Sequence, residues 1–315
     1  MFLRSRYFYG TALAGFSLLT IVASAVAFDQ KAVVSIKQQK SEYYTAQGGR
    51  FRSFIVHPEI SLQQHYDDNI YRDRNNTKDD FVTVVEPSLT VRSDWGLHEL
   101  KAGADARIGR YARHEGEHYD DYSYYVSGRY DITHETFLDL NLQSEHKHED
   151  RGDVDDVGGD EPIEYDVHSA KGGFTRALGV MKLYLTAEVR DYAYDNSTVN
   201  GSVVDHSDRD RRQVKLTGRV AYGVSDRNDL YVQVQKDTRR YDQSGTTYRD
   251  SDGYEYRVGV KSNITGKLEG DVYLGYMNRD YDAGLAGIDG ESYGGSLLWN
   301  VNCLLYTSPS PRDQA

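Results

Sequence analysis

Residues 114–118 read His-Glu-Gly-Glu-His, the spacing with which a helix sets two histidines one turn apart to hold zinc, beside a glutamate that serves as general base. Here a glycine stands at the centre of the run, the flanking segments alternate with a period of two, and no third ligand lies nearby. His114 and His118 therefore read as connector residues, and no metal site is specified. A second candidate is the acidic stretch from Asp150 to Glu161. Asp153, Asp155, Gly158 and Glu164 fall at calcium-loop spacing, but Val157 occupies a place that requires an oxygen ligand and no helices flank it. It reads as a solvated loop, with loose calcium bridging to anionic lipopolysaccharide as the weaker alternative. No Ser/His/Asp order, phosphate loop or carboxylate pair stands above chance, so the expected chain is a non-enzyme with no cofactor. A barrel-borne hydrolase ranks last.

The chain does supply polar side chains at alternate positions. Glu86, Arg92, Lys101, Asp105, Arg107, Arg129, Asp139, Gln143, Tyr184, Glu188, Arg190, Lys215, Arg219, Tyr231, Gln233, Asp237, Arg239, Glu255, Arg257, Lys261, Asp271 and Tyr273 all fall on one side of their strands. A central Arg or Lys turned to lipid costs about 2–4 kcal/mol, so these residues are expected to line an interior. Either they pair across strands and close a lumen, or they line a hydrated passage. The two signs are similar in number, which predicts no strong ion preference. The inward tyrosines could stack on sugar rings while neighbouring polar groups bind hydroxyls, or could simply pack against arginines.

The elements that position these residues are strands. From Phe54 every second residue runs Phe54, Val56, Pro58, Ile60, Leu62, against Ile55, His57, Glu59, Ser61, Gln63. Twelve such strands are predicted, near 54–66, 81–93, 98–112, 121–131, 136–146, 163–175, 182–194, 210–222, 229–240, 253–264, 268–280 and 292–302. The 163–175 strand alternates poorly, and Gly172-Gly173 predicts a bulge there. Connectors alternate between short (near Asp94-Trp95-Gly96, for example) and long (67–80, 113–120, 147–162, 195–209, 241–252, 281–291). Short turns at one end and long loops at the other are the rule of outer-membrane barrels. On the apolar side, Tyr66, Tyr122, Tyr124, Tyr254, Tyr256, Tyr276 and Tyr293 fall toward the long loops, and Phe54, Tyr130 and Tyr222 toward the short turns. These would form two interfacial girdles. The expected fold is thus an all-β antiparallel transmembrane barrel, an up-and-down meander.

Composition sets bounds. Asp+Glu 49 against Lys+Arg 37 gives a charge of -12, which argues against nucleic acid as a partner. Hydrophobic residues are only 38%, yet a barrel wall needs lipid-compatible residues only at alternate positions. Residues 1–27 have a basic start, an apolar centre and an Ala25-Val26-Ala27 cleavage pattern, as in a signal peptide; 28–53 lack alternation and read as a periplasmic lead-in. The barrel is assigned to 54–302. The run Cys303 to Asp313 reads back as a sequencing-adapter string, so 303–315 are expected to be foreign, and the native barrel to be larger, about 16 strands. An unsealed seam or a forced closure between the first and twelfth strands should then result.

The runs Tyr66-Asp67-Asp68-Asn69-Ile70-Tyr71, Lys78-Asp79-Asp80-Phe81, Arg92-Ser93-Asp94-Trp95-Gly96, Gly128-Arg129-Tyr130-Asp131 and Glu161-Pro162-Ile163-Glu164-Tyr165-Asp166 resemble the outer-membrane β-barrel porin type 2 family. The resemblance covers 54–302 and implies a Gram-negative outer-membrane location and a role in exopolysaccharide or capsule export or assembly. A passive channel is the first expectation; a non-conducting structural or surface-contact barrel is the second. Expected partners are outer-membrane lipid and lipopolysaccharide, the barrel assembly machinery, and polysaccharide.

Overall fold

A computed structural model describes residues 48–299 except 154, 155, 157, 244, 283 and 284. The signal peptide, most of the lead-in and the 303–315 tail lie outside these residues. All twelve long strands are present: β2 (Phe54–Asp67), β3 (Asp80–Ser93), β4 (Glu99–Tyr111), β5 (Tyr119–Thr133), β6 (Thr136–His148), β7 (Glu164–Leu178), β8 (Met181–Tyr194), β11 (Arg211–Ser225), β12 (Asn228–Tyr241), β13 (Ser251–Thr265), β14 (Leu268–Tyr281) and β15 (Ile288–Trp299). Three short strands join them. β1 (Gly49–Phe51) pairs with β2 inside the stretch read as lead-in, and β9 (Ser197–Val199) with β10 (Ser202–Val204) forms a separate hairpin in a long loop.

Among the described residues the main sheet has 13 strands in sequence order, each antiparallel to its neighbour, with β1 and β15 at its two edges. Among the described residues β1 and β15 do not pair with each other, so the sheet stays open between them.

The expected bulge at Gly172-Gly173 is absent: β7 keeps unbroken register with both β6 and β8. The weak alternation there has a simpler cause, since glycines on both faces carry no polarity signal. Register shifts occur instead at Asp131/Thr133, Gly223/Ser225 and Asn263/Thr265, each beside a two-residue turn. A bulge at that point raises the local twist and lets a tight turn close.

Residues directly opposite one another in a ladder share a face. Following the register strand by strand places all the charged, amide and tyrosine residues predicted for the interior on one wall. The girdle aromatics fall on the other wall with the exposed side chains of Leu62, Leu140, Val232 and Leu274. Polar side chains two strands apart meet on their wall: Arg279 Nη2 lies 3.0 Å from Asp237 Oδ1, and the Tyr231 hydroxyl donates to Asp271 at 2.8 Å. Alternate strands are about 10 Å apart, so such contacts are made by long side chains reaching across the intervening strand.

Candidate functional site: the polar wall and its loops

The polar wall is organised by pairing within strands. Glu188 and Arg190, Asp237 and Arg239, and Glu255 and Arg257 are i,i+2 neighbours on one face, bonded at 2.5, 3.2 and 2.6 Å. Arg129 and Asp131 repeat this at 2.9 Å. Glu188, Gln233 and Asp237 are buried, whereas Arg92 and Asp105 near the other edge are exposed. Arg107 reaches Glu86 at 3.5 Å, Arg219 donates to Gln233 at 2.8 Å, and Asp271 takes the Tyr231 hydroxyl. Arg92 and Lys101 stand directly opposite each other, as do Arg129 and Asp139, Tyr125 and Gln143, Lys215 and Glu188, and Lys261 and Asp271.

Four tyrosines on this wall lie flat over a glycine of the neighbouring strand. A Cβ at Gly109, Gly103, Gly259 or Gly294 would fall 2.2–2.8 Å from the ring of Tyr119, Tyr125, Tyr231 or Tyr273 respectively. The outer face of each ring carries a cation: Arg107, Lys101, Arg219 and Arg257 sit 5.9, 5.3, 4.0 and 4.5 Å from the four centroids. Each of these rings thus has a glycine of the neighbouring strand close against it and a cation near its centroid. Tyr184 is buried opposite Arg219. Sequence reasoning missed Tyr119, which lies in a span read as loop, and Tyr125. It also missed Arg279, although Arg279 shares the parity of Asp271 and Tyr273. Arg211, 4.1 Å from the Tyr192 centroid, was likewise missed.

The His-Glu-Gly-Glu-His run forms a single 3-10 turn over Glu115–Glu117. Its histidines serve different partners: His114 Nδ1 lies 2.9 Å from Asp80 Oδ2, and His118 Nδ1 accepts the Tyr111 amide at 3.2 Å. Glu117 is buried and takes Arg151 Nε at 2.7 Å and Nη2 at 2.6 Å. Arg151 also donates to the Gly159 carbonyl at 2.9 Å. The neighbouring loop is joined in turn, because Asp160 accepts the Asn200 and Gly201 amides and Glu149 accepts Arg209. Of the calcium-spaced residues, Asp155 lies outside the described residues, and Glu164 begins β7 opposite His148.

Asp156 closes the acidic loop by accepting the Gly152 and Gly158 amides at 3.0 and 2.9 Å. Burial pushes its carboxyl pKa up, but those amides and the Arg151 guanidinium outweigh burial and hold it below the usual carboxylate range. A carboxylate lowered by folding contributes fully above its unfolded pKa and loses that contribution as pH falls through the folded value. Hydrogen exchange at Gly152 and Gly158, corrected for the intrinsic rate, is therefore expected to accelerate as pH drops below about 4. Asp156→Asn should abolish that acceleration; an identical acid response in the variant refutes the assignment.

A family model described as putative beta-barrel porin 2 matches residues 42–307. No protein of curated function matches the chain. Among solved structures, OmpT of Vibrio cholerae is similar at 8% identity over 79% of this chain and 98% of its own, with a TM-score of 0.42. An outer membrane channel from Pseudomonas putida F1 is similar at 13% identity, covering 80% and 96%, with a TM-score of 0.36. An anion-selective porin from Comamonas acidovorans is similar at 11% identity, covering 76% and 95%, with a TM-score of 0.35.

Proposed function

The chain belongs to the putative beta-barrel porin 2 family, and on that premise we propose that it is a passive outer-membrane channel for polar solutes, serving export or assembly of a surface polysaccharide. The observation that carries this reading is the flat seating of the tyrosines. A ring held against a glycine of the next strand adds little to the reach of the wall, and the i,i+2 ion pairs fold long side chains along the strand as well. Both devices leave space beside a charged wall where side chains could otherwise cross it. Transport along such a wall needs no cofactor; hydrated carboxylates, guanidinium groups and amides exchange hydrogen bonds with a passing solute.

A second reading, a non-conducting structural barrel, is favoured by the burial of Glu188, Gln233 and Asp237 among their neighbours. Planar-bilayer recording separates the two. The channel reading expects discrete conductance steps and, because most charges are paired, a reversal potential near zero in a salt gradient. Absence of steps at every voltage and salt concentration removes it.

A further inference from the structure

The polar wall is close to neutral as a whole, but its charges are sorted by row. One row of directly opposed residues runs from Arg92 on β3 through Lys101, Ser127, Asn141 and Lys171 to Lys215 on β11. The adjacent row on the long-loop side, from Thr90 to Gln213, adds Arg190 and no carboxylate. Over these strands Glu188 is the carboxylate within the two rows, and Arg190 holds it at 2.5 Å. Among the described residues Arg92, Lys101, Lys171 and Lys215 form no ion pair, and none of the four is buried.

Carboxylates stand in the rows on either side. Glu59, Asp105 and Glu145 lie toward the long loops, Glu99 and Asp139 toward the short turns. They are engaged where they stand: Glu145 holds Lys147 at 2.6 Å, Asp105 accepts the Ser123 hydroxyl at 2.7 Å, and Glu99 and Asp139 both stand directly opposite Arg129. Arg129 and Arg211 share those flanking rows, so cations outnumber carboxylates across all four rows from β2 to β11. The stripe also climbs. Arg92 and Lys101 lie beside the short-turn ends of β3 and β4, Lys171 at the middle of β7, and Lys215 toward the long-loop end of β11. It therefore traverses the wall from one end toward the other.

The spacing says what such a stripe would hold. Lys101 and Lys171 are three strands apart, about 14 Å, and Ser127 and Asn141 fill the interval with Gln143 and Ser169 beside them. Hydroxyls and amides both donate and accept, while ammonium groups only donate. Charge at intervals, with neutral hydrogen-bonding groups between, matches a sugar chain bearing carboxylates. A neutral glycan would leave the cations unused, and an acidic peptide offers no hydroxyls. We propose that this stripe binds a carboxylated saccharide chain, its carboxylates against Lys101, Lys171 and Lys215 and its hydroxyls against Ser127, Asn141 and Gln143. The inference rests on the channel reading and names the class of solute for it.

Isothermal titration of the full chain in detergent micelles tests it, with hexagalacturonate, maltohexaose and hexa-aspartate as probes. Wild type should bind hexagalacturonate most tightly, since maltohexaose lacks the carboxylates and hexa-aspartate the hydroxyls. Lys171→Gln should weaken that binding about two- to fivefold, the worth of one exposed ion pair, and adding Lys215→Gln should weaken it further by a similar factor. Lys171→Arg should keep the wild-type affinity. Lys236→Gln removes the same charge from the opposite wall and should change nothing. Equal affinity for hexagalacturonate and either other probe, or a double variant that binds as wild type does, overturns the proposal. Planar bilayers keep the channel reading separate: steps that hexagalacturonate does not block count against the stripe, whereas absence of steps counts against the channel.

Discussion

Replacing Arg151 with methionine is expected to release the long loops at one end of the sheet while leaving the strand ladders intact. The Arg151 side chain is 7% exposed and that of Glu117 is 2% exposed, and two bonds of 2.7 and 2.6 Å join them. Removing one member of a buried pair strands the other charge in a poorly hydrated place, which costs about 3–5 kcal/mol. That penalty falls on the loop segments that carry Glu117 and Arg151. Amides there should exchange roughly two to three orders of magnitude faster, while the β5–β6 and β11–β12 ladders keep their protection. The 195–210 loop should loosen in part, since Asp160 and Glu149 tie it to the released segment. Glu117→Met combined with Arg151→Met should recover most of the loss, because an apolar pair of similar volume often matches a buried ion pair. Hydrogen-exchange mass spectrometry decides the matter. Unchanged exchange in Arg151→Met, or a double variant no better than the single, defeats the account.

None of that latch was legible from sequence. Glu117 stood inside an apparent zinc motif and Arg151 in an apparent calcium loop, and only the fold brings the two connectors together. The walls, in contrast, could be read directly. Strand parity alone placed Glu86, Arg129, Glu188 and Asp237 on one face and Tyr122, Tyr222 and Tyr256 on the other, because a side-chain period of two survives any register that keeps opposed residues on one face. What parity cannot supply is lateral position. Tyr125 meets Gly103 only because β4 and β5 pair in the observed register, and no local signal in either strand announces it. The hairpin of β9 and β10 had a visible mark, since Asn200 and Gly201 both adopt positive φ (50° and 75°) and Asn-Gly is the pair that tolerates such a turn. Its three-residue strands were too short for alternation to show. The same brevity hid β1.

On the polar wall itself, Gly103→Ala is expected to destabilise through a single side chain. A Cβ at this position would stand 2.5, 2.7 and 2.8 Å from Cε1, Cζ and the hydroxyl oxygen of Tyr125, and these three nearest atoms all belong to that side chain. The ring must lift from the wall, losing its seat on the β4 backbone and its alignment with Lys101. Overpacking of this kind costs about 1–3 kcal/mol. Tyr125→Ala removes the obstacle, so Gly103→Ala with Tyr125→Ala should cost less than the sum of the two single changes, by about 0.5–3 kcal/mol. Urea unfolding in detergent micelles, followed by tryptophan fluorescence, gives the three differences. Gly259 supplies the internal contrast. Its added Cβ would meet not only Tyr231 at 2.4 Å but also the Val272 carbonyl oxygen at 2.7 Å, so Tyr231→Ala should rescue Gly259→Ala poorly. A lifted Tyr125 ring would also stand out from the wall, and in a conducting barrel Gly103→Ala should narrow the unitary current, with Tyr125→Ala restoring it. Strict additivity at Gly103, or equal rescue at both sites, would mean that the flat rings are incidental packing and do not set how far the wall reaches inward.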